Sequence, residues 1–205
     1  MLILSNGFII SDSSKILCVS VPPWLVFSYM NISKKAKRVK LLIMDVDGVL
    51  TDGRIILDDR GRELKFFDVK DGHGIALAHR AGLPTAIISG RNSKVVNIRA
   101  RELGIKIVYQ NSLDKLKSYE SILKKTGLKD AEVAFIGDDL IDIPLLKKVG
   151  FSIAVADALP YVKDAADMVT KGKGGRGAVR EVIEFILDAK GLWKEIYREF
   201  ARKKY

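Results

Sequence analysis

Two aspartates, Asp45 and Asp47, follow directly on an apolar run at residues 41–44. A short unbroken apolar run fits a strand that is buried on both faces of a sheet. Residues one position apart on an extended chain share a face, so the two carboxylates can converge on one ligand at the strand end. Two close carboxylates repel unless a cation or a proton lies between them. An isolated Asp-x-Asp pair is more often a strand end with solvated acids, so a functional interpretation needs further residues elsewhere in the chain.

Two further polar residues stand where they could contact a phosphate. Ser89 ends an apolar run, and its hydroxyl and nearby amides can hold a phosphoryl oxygen, although a Ser-Gly pair is commonly only a turn. Lys115 opens a predicted helix, where its ammonium could neutralise a nucleophile and a phosphate. The alternative for Lys115 is a solvated helix face that it shares with neighbouring lysines.

Three more acids, Asp138, Asp139 and Asp142, follow the apolar run at 133–136. Such a cluster would be costly to bury without a metal. We expect Asp138 to be the direct ligand and Asp139 or Asp142 to support it through hydrogen bonds. An oxygen-only site suits Mg²⁺, which keeps several of its waters.

These residues supply what the hydrolysis of a phosphate ester needs, namely a nucleophile, an acid/base and positive charge on the phosphoryl oxygens. Asp45 is the predicted nucleophile, because a carboxylate is ionised at neutral pH and needs no activating base. Asp47 is predicted to protonate the leaving alkoxide and then to deprotonate the attacking water. An anionic phosphate cannot approach two aspartates unaided, so the chemistry requires a divalent cation.

The elements that must position these residues alternate regularly along the chain. Strands are predicted at 84–89, 105–109, 133–136 and 151–155, with helices at 92–103, 114–126 and 140–149 between them. The pattern predicts an α/β fold, a three-layer Rossmann-like parallel sheet with helices on both faces and right-handed crossovers. In such sheets the site lies outside the carboxyl ends of the strands.

A small β-hairpin is predicted just after the first strand. Runs at 54–57 and 63–67 flank a turn at 58–61. The stretch between Asp47 and Ser89 holds this hairpin and one helix, which leaves too little chain for a cap domain.

The two ends of the chain differ from the middle. Residues 1–29 are predicted to be an extension without a functional role, with Met30 as the natural start and Ser33 as the cap of a short basic helix. The apolar stretch in this extension is too short to cross a membrane and lacks the features of a signal peptide. Residues 30–190 would form the catalytic domain, and 191–205 a basic helix or tail.

Composition gives only weak indications of function. The 205 residues carry a net charge of +10, which could suit nucleic acid or a membrane surface. Much of that charge lies in the two end segments, so we expect neither partner, although a basic middle still suits an anionic substrate. The single cysteine, Cys18, cannot form an internal disulfide, which fits a reducing cytoplasm.

The string Asp-x-Asp-Gly-x-Leu-Thr-Asp-Gly at 45–53 resembles the first motif of the haloacid dehalogenase superfamily, whose members form an aspartyl-phosphate. Ser89, Lys115 and Asp138 follow in the order of the superfamily's other motifs. The resemblance implies a Mg²⁺ ion held by the Asp45 side chain, the Asp47 backbone carbonyl and a carboxylate of the acidic cluster.

Within that superfamily the chain resembles the capless 3-deoxy-D-manno-octulosonate 8-phosphate phosphatases. The marks are the string at 45–53, the pair at 71–72, the triplet at 89–91 and the glycine-rich stretch at 174–178. The resemblance implies a homotetramer in which hairpins and a neighbour's tail, here 171–177, close the active site. It adds a set of candidate substrate- or phosphate-binding residues: Thr51, Asp71, Ser89, Gly90, Arg91 and Arg176.

Arg91 favours an eight-carbon substrate. A guanidinium can pair bidentately with the carboxylate of a sugar acid, whereas relatives that act on nine-carbon acids tend to have an acid at this position. The sequence thus predicts a cytoplasmic, Mg²⁺-dependent phosphatase that hydrolyses 3-deoxy-D-manno-octulosonate 8-phosphate in lipopolysaccharide synthesis. The alternative substrate is a nine-carbon 2-keto sugar acid 9-phosphate.

Three other classes of protein share some of these sequence features. A phosphorylation-switch receiver domain also clusters aspartates and a lysine, but its lysine comes last, whereas Lys115 precedes Asp138. A non-catalytic regulatory or assembly protein is disfavoured because no motif residue is missing. A nucleic-acid binder would rest only on the charge of the tails.

Overall fold

The structure, a computed structural model, describes residues 2–3, 9–10, 16–17 and 22–202. Its strands and helices are β1 Leu2–Ile3, β2 Ile9–Ile10, β3 Ile16–Leu17, α1 Pro23–Arg38, β4 Leu41–Met44, β5 Ile56–Leu57, β6 Glu63–Leu64, α2 Val69–Arg80, β7 Thr85–Ile88, α3 Lys94–Glu102, β8 Ile107–Tyr109, α4 Lys115–Thr126, β9 Val133–Gly137, α5 Ile143–Leu146, β10 Phe151–Ala154, α6 Pro160–Asp164, β11 Met168–Val169, α7 Ala178–Ala189 and α8 Trp193–Arg202. Cys18 lies outside the described residues.

Six of the strands form one parallel sheet in the order β11-β10-β9-β4-β7-β8. Every residue of β4, β7, β9 and β10 is buried, as expected for strands that are covered on both faces by helices. The predicted α/β fold with a parallel sheet is therefore confirmed. Because β4 lies between β9 and β7, the residues that follow these three strands meet at one edge of the sheet.

The predicted hairpin is present between β4 and α2. Its strands β5 and β6 pair antiparallel over two residues each, and they form a separate sheet. The Asp58 carboxylate accepts hydrogen bonds from the amides of Arg60 and Arg62, and Gly61 adopts a positive φ of 72°. No cap domain lies among the residues between Asp47 and Ser89, all of which the structure describes.

The predicted helix at 140–149 is largely wrong. The chain forms a 3₁₀ turn at Leu140–Asp142 and then only the short helix α5. The reason lies in the acids, because Asp139 accepts a hydrogen bond from the Leu140 amide and Asp142 accepts two from amides before it. These side chains compete with helical hydrogen bonding and hold a turn instead.

The prediction that Ser33 caps a short basic helix is also wrong. Helix α1 begins at Pro23, a residue well suited to a first helical turn, so Ser33 lies in the helix interior. The Tyr29 ring packs edge-to-face on Phe185 of α7, and the Lys35 ammonium lies 2.5 Å from an Asp167 carboxylate oxygen. Helix α1 thus crosses the predicted boundary between residues 29 and 30 and packs on the domain.

Helix α8 lies within the predicted C-terminal segment and packs on α2. Arg80 pairs with Glu199 and lies over the Phe200 ring, and Ile196 is buried. Among the helices that the structure describes, none combines the length and the apolar character needed to cross a membrane.

Candidate active site

Three of the predicted residues follow neighbouring strands at the carboxyl edge of the sheet. Asp45 follows β4, Ser89 follows β7 and Asp138 follows β9. Lys115 comes next to them as the first residue of α4, and its ammonium lies 2.9 Å from an Asp45 carboxylate oxygen. The residues predicted from separate parts of the sequence are therefore brought together.

Asp142 is fully buried and has both carboxylate oxygens engaged. Its Oδ1 lies 2.5 Å from the Lys115 ammonium, and its Oδ2 accepts the amides of Asp138 and Asp139 at 2.9 and 3.2 Å. A Cβ on Gly137 would lie 2.6 Å from Asp142 Cβ, so this approach requires glycine. Asp142 thus orients Lys115 and the turn that presents Asp138, while exposed Asp139 caps the turn.

Asp138 has a buried carboxylate oxygen, Oδ1, with no hydrogen-bond partner among the described residues. Gly48 approaches the other side of this carboxylate so closely that a Cβ would overlap it, and its φ of +92° also favours glycine. Carboxylate oxygens of Asp45, Asp138 and Asp142 lie within 4.8 Å of one another. An unpartnered buried oxygen beside two other carboxylates fits a cation site.

The pKa values of the acidic side chains in this cluster also indicate a cation site. Burial, reinforced by Asp142 and opposed by Lys115, raises the pKa of Asp45 to about 6. Burial and the neighbouring charges of Asp45 and Asp142 raise the pKa of Asp138 to about 8. Burial alone would lower the pKa of Lys115, but the two carboxylates raise it overall. The single positive charge of the Lys115 ammonium does not balance three carboxylates, and a divalent cation would supply the positive charge that is missing.

Asp47 pairs with a residue that the sequence analysis missed. Its carboxylate binds the ammonium of Lys65, whose side chain is 1% exposed. The same ammonium lies 3.4 Å from a Glu63 carboxylate oxygen, and Glu63 accepts a 2.9 Å hydrogen bond from Arg91. The hairpin therefore supplies two charged side chains to the site. The alternation of polar and apolar residues at 63–66 could have indicated which side chains face inward.

Ser89, Gly90 and Arg91 form one wall of the site. Ser89 is buried, and its hydroxyl accepts the Arg91 amide at 3.3 Å. A Cβ on Gly90 would lie 3.7 Å from Ile141, which places this glycine at the wall beside the acidic turn. The Arg91 guanidinium is paired with Glu63 rather than free.

Thr51 and Asp71 have internal partners. The buried Thr51 hydroxyl donates to the Val46 carbonyl at 3.2 Å. The Asp71 carboxylate accepts the amides of Gly177 and Arg180 at 3.2 and 2.7 Å, and burial raises its pKa. Both side chains therefore hold loops in place, and their contact with substrate stays a prediction.

The glycine-rich stretch at 171–177 packs on its own chain. The Gly175 amide donates to the Val49 carbonyl at 2.8 Å, and Gly174 lies against the backbone of Gly48. These residues thus support the loop after β4 in their own chain, and the closing of a neighbour's site by 171–177 stays a prediction. Arg176 is exposed at this loop and lies 3.7 Å from Asp52.

The family comparison matches residues 85–183 to the model of the haloacid dehalogenase-like hydrolases. A curated relative, the 3-deoxy-D-manno-octulosonate 8-phosphate phosphatase KdsC of Escherichia coli strain K12, is 48% identical over 165 residues. The match covers 80% of this chain and 88% of the relative.

Solved structures agree with that relationship. The 3-deoxy-D-manno-octulosonate 8-phosphate phosphatase of Moraxella catarrhalis, in complex with a magnesium ion, a phosphate ion and a KDO molecule, is 42% identical with a TM-score of 0.81. The match covers 82% of this chain and 97% of that chain. A probable YrbI family phosphatase of Pseudomonas syringae is 39% identical with a TM-score of 0.84, over 85% of this chain and 99% of that chain.

Proposed function

This chain belongs to the 3-deoxy-D-manno-octulosonate 8-phosphate phosphatase family of the haloacid dehalogenase-like hydrolases, and on that premise we propose that it releases phosphate from 3-deoxy-D-manno-octulosonate 8-phosphate. The observation that supports this most directly is the convergence of Asp45, Lys115 and the unpartnered Asp138 carboxylate at one edge of the sheet.

The proposed reaction has two steps on Asp45. Its carboxylate attacks phosphorus and forms an aspartyl-phosphate, while Asp47 gives a proton to the leaving alkoxide of the sugar acid. Asp47 then takes a proton from the water that hydrolyses the aspartyl-phosphate. Lys115 stabilises negative charge on Asp45 and the phosphoryl oxygens, and Ser89 with the Gly90 amide holds one of those oxygens.

A Mg²⁺ ion fits this donor set and would neutralise phosphoryl charge when bound. Its proposed ligands are the Asp45 side chain, the Asp47 backbone carbonyl and the Asp138 side chain. Asp139 and Asp142 support Asp138, because Asp142 accepts the amides on either side of the Asp138 carbonyl and Asp139 caps the turn.

The eight-carbon substrate is favoured over a nine-carbon acid by Arg91 and by the relatives. The guanidinium of Arg91 can exchange its partner Glu63 for the carboxylate of the sugar acid. Thr51, Asp71 and Arg176 remain candidate contacts with the substrate. We place the reaction in the cytoplasm, in the synthesis of lipopolysaccharide precursors.

We also propose that the enzyme is a homotetramer. The outer face of the hairpin is apolar, with Leu64 49% and Phe66 66% exposed. In the paired strand Ile56 lies on the same face as Leu64, and Ile55 and Leu57 on the other face are also largely exposed. Exposed apolar side chains of this kind are typical of a surface that a second subunit covers.

The test is phosphate release from 3-deoxy-D-manno-octulosonate 8-phosphate, from the nine-carbon analogue and from p-nitrophenyl phosphate, with Mg²⁺ and with EDTA. We expect Mg²⁺-dependent preference for the first, and a loss of about 1,000-fold or more in Asp45→Asn. Comparable rates on the nine-carbon acid would overturn the substrate assignment alone. A folded, Mg²⁺-bound protein that turns over none of them would support the non-catalytic alternative.

A further inference from the structure

In the second strand of the hairpin and the residues that follow it, 63–66, the polar side chains face the site and the apolar side chains face out. Glu63 and Lys65 are shielded, whereas Leu64 and Phe66 between and after them are exposed. Successive residues of an extended chain point to opposite faces, so the extended backbone at 63–66 accounts for both the inward polar pair and the outward apolar pair. A surface hairpin usually has the reverse arrangement, and the inward polar face therefore needs a purpose beyond packing.

Lys65 is the more enclosed of the two inward residues. Its side chain is 1% exposed, and its ammonium contacts the Asp47 carboxylate and lies 3.4 Å from Glu63. Burying an ammonium is costly unless it is paired, and the two carboxylates provide that pairing. The lysine stem, packed inside the site, fixes where the ammonium lies.

Asp47 depends on this lysine for its orientation. Among the residues that the structure describes, Lys65 is the hydrogen-bonding partner of the Asp47 carboxylate, which is otherwise 22% exposed. A short aspartate side chain at the end of a strand has several open rotamers, and one strong charged contact selects among them.

We propose that Lys65 is a positioning residue for Asp47, holding its carboxyl group where, in the protonated form, it can donate a proton to the leaving oxygen of the substrate. This inference rests on the proposed phosphatase function and extends it to a residue outside the sheet. Lys65 also contacts Glu63, which holds Arg91, so one ammonium links the acid/base to the residue proposed to bind the sugar carboxylate.

The decisive variant is Lys65→Met, which keeps the length of the stem and removes the charge. We expect kcat for the sugar phosphate to fall on the order of 10- to 100-fold with KM changed by less than about 3-fold, since a misplaced acid slows chemistry more than binding. Lys65→Arg should restore part of the rate because it keeps a cation beside Asp47. Lys125→Met, an exposed lysine on α4, is the matched control.

A second substrate separates positioning from a merely structural role. The nitrophenolate of p-nitrophenyl phosphate leaves without a proton, so single-turnover release of nitrophenol by Lys65→Met should stay within about 3-fold of wild type. Equal losses on both substrates would mean a collapsed site, and a rise in KM confined to the sugar phosphate would mean direct substrate binding. Either result overturns the proposal.

The experiment also distinguishes the proposal from the function on which it rests. Wild-type activity with an unaffected Lys65→Met would reject only the role of Lys65. An inactive wild type would reject the proposed function and the inference with it. Thermal melting with and without Mg²⁺ checks that each variant is folded and still binds the ion.

Discussion

The two halves of the candidate site are built differently. One half, the acidic cluster of Asp45, Lys115, Asp138 and Asp142, follows buried strands of the central sheet and is itself largely buried. The other half is the hairpin network, which consists of Asp47, Lys65, Glu63 and Arg91. It is held together by side chains from a hairpin outside that sheet, whose strands are two residues long. The comparison suggests that the acidic cluster performs the phosphoryl chemistry and the hairpin network adapts it to one leaving group.

After Asp45→Asn, Lys115→Met should have the largest effect, because it damages the acidic cluster itself. It leaves Asp45 and Asp142 buried without their cation, and breaking a buried ion pair costs about 3–5 kcal/mol in the free energy of unfolding. We expect phosphate release to fall on the order of 100- to 1,000-fold on sugar and aryl substrates alike. Urea denaturation and steady-state kinetics measure the two effects. Unequal losses on the two substrates would contradict the assignment of the phosphoryl chemistry to the acidic cluster.

Asp138→Asn should weaken Mg²⁺ binding and, at neutral pH, stabilise the metal-free protein. The pKa of Asp138 is raised from its usual value near 4 to about 8, so the metal-free folded protein binds a proton that the unfolded chain releases. The stability of metal-free wild type should therefore fall as pH rises from about 4 to about 8.

The asparagine variant should have a flatter pH dependence in that range and a higher melting temperature at neutral pH without metal. It should also lose most of the stabilisation that Mg²⁺ gives to wild type. Differential scanning fluorimetry with and without Mg²⁺ measures both quantities. A variant that keeps the full Mg²⁺ shift would remove Asp138 from the proposed ligand set.

Arg91→Ala should affect binding rather than chemistry. Loss of a charge-assisted hydrogen bond to the substrate costs about 1.5–3 kcal/mol, which corresponds to a rise in KM for the sugar phosphate of roughly 10- to 150-fold. The kcat and KM for p-nitrophenyl phosphate, which has no carboxylate, should change little. Steady-state kinetics on both substrates test this, and a matching loss on the aryl phosphate would place Arg91 in the phosphate site instead.

A double substitution on the outer hairpin face, Leu64→Ser with Phe66→Ser, should have the smallest effect on the acidic cluster. We expect the proposed tetramer to dissociate, because these side chains supply the exposed apolar face. Sedimentation velocity measures the assembly. Single-turnover release of nitrophenol should stay within about 3-fold of wild type. A stable tetramer in this variant would show that the subunits meet elsewhere.

Three members of the acidic cluster, Asp45, Lys115 and Asp138, were predictable from the sequence because each follows an apolar strand or opens a helix. Parallel strands bring such residues to one edge regardless of the loops between them, so Asp45, Lys115 and Asp138 needed only their order along the chain. The sequence also favoured Asp138 as the direct ligand, with Asp139 or Asp142 in support, and the structure adds that Asp142 has both oxygens engaged.

The hairpin network was not predicted beyond Asp47 and Arg91. Glu63 and Lys65 resemble ordinary polar residues on a surface hairpin, and only the inward direction of their side chains gives them partners.

The start of α1 was missed for a similar reason. The contact between Tyr29 and Phe185 joins segments far apart in sequence, and no local pattern announces it. The sequence did not predict the packing of Gly174 and Gly175 within their own chain, where their small size allows close approach to Gly48 and Thr51.

The proposed role of Asp45 as the nucleophile can be tested by chemical trapping of the covalent intermediate. The Mg²⁺-loaded enzyme is mixed with 3-deoxy-D-manno-octulosonate 8-phosphate, quenched in acid during turnover and treated with borohydride, which reduces an acyl phosphate to an alcohol. We expect homoserine at position 45 in the peptide mass spectrum and unmodified aspartate at position 47. Reduction at position 47, or an unmodified Asp45 in enzyme that is releasing phosphate, would contradict it.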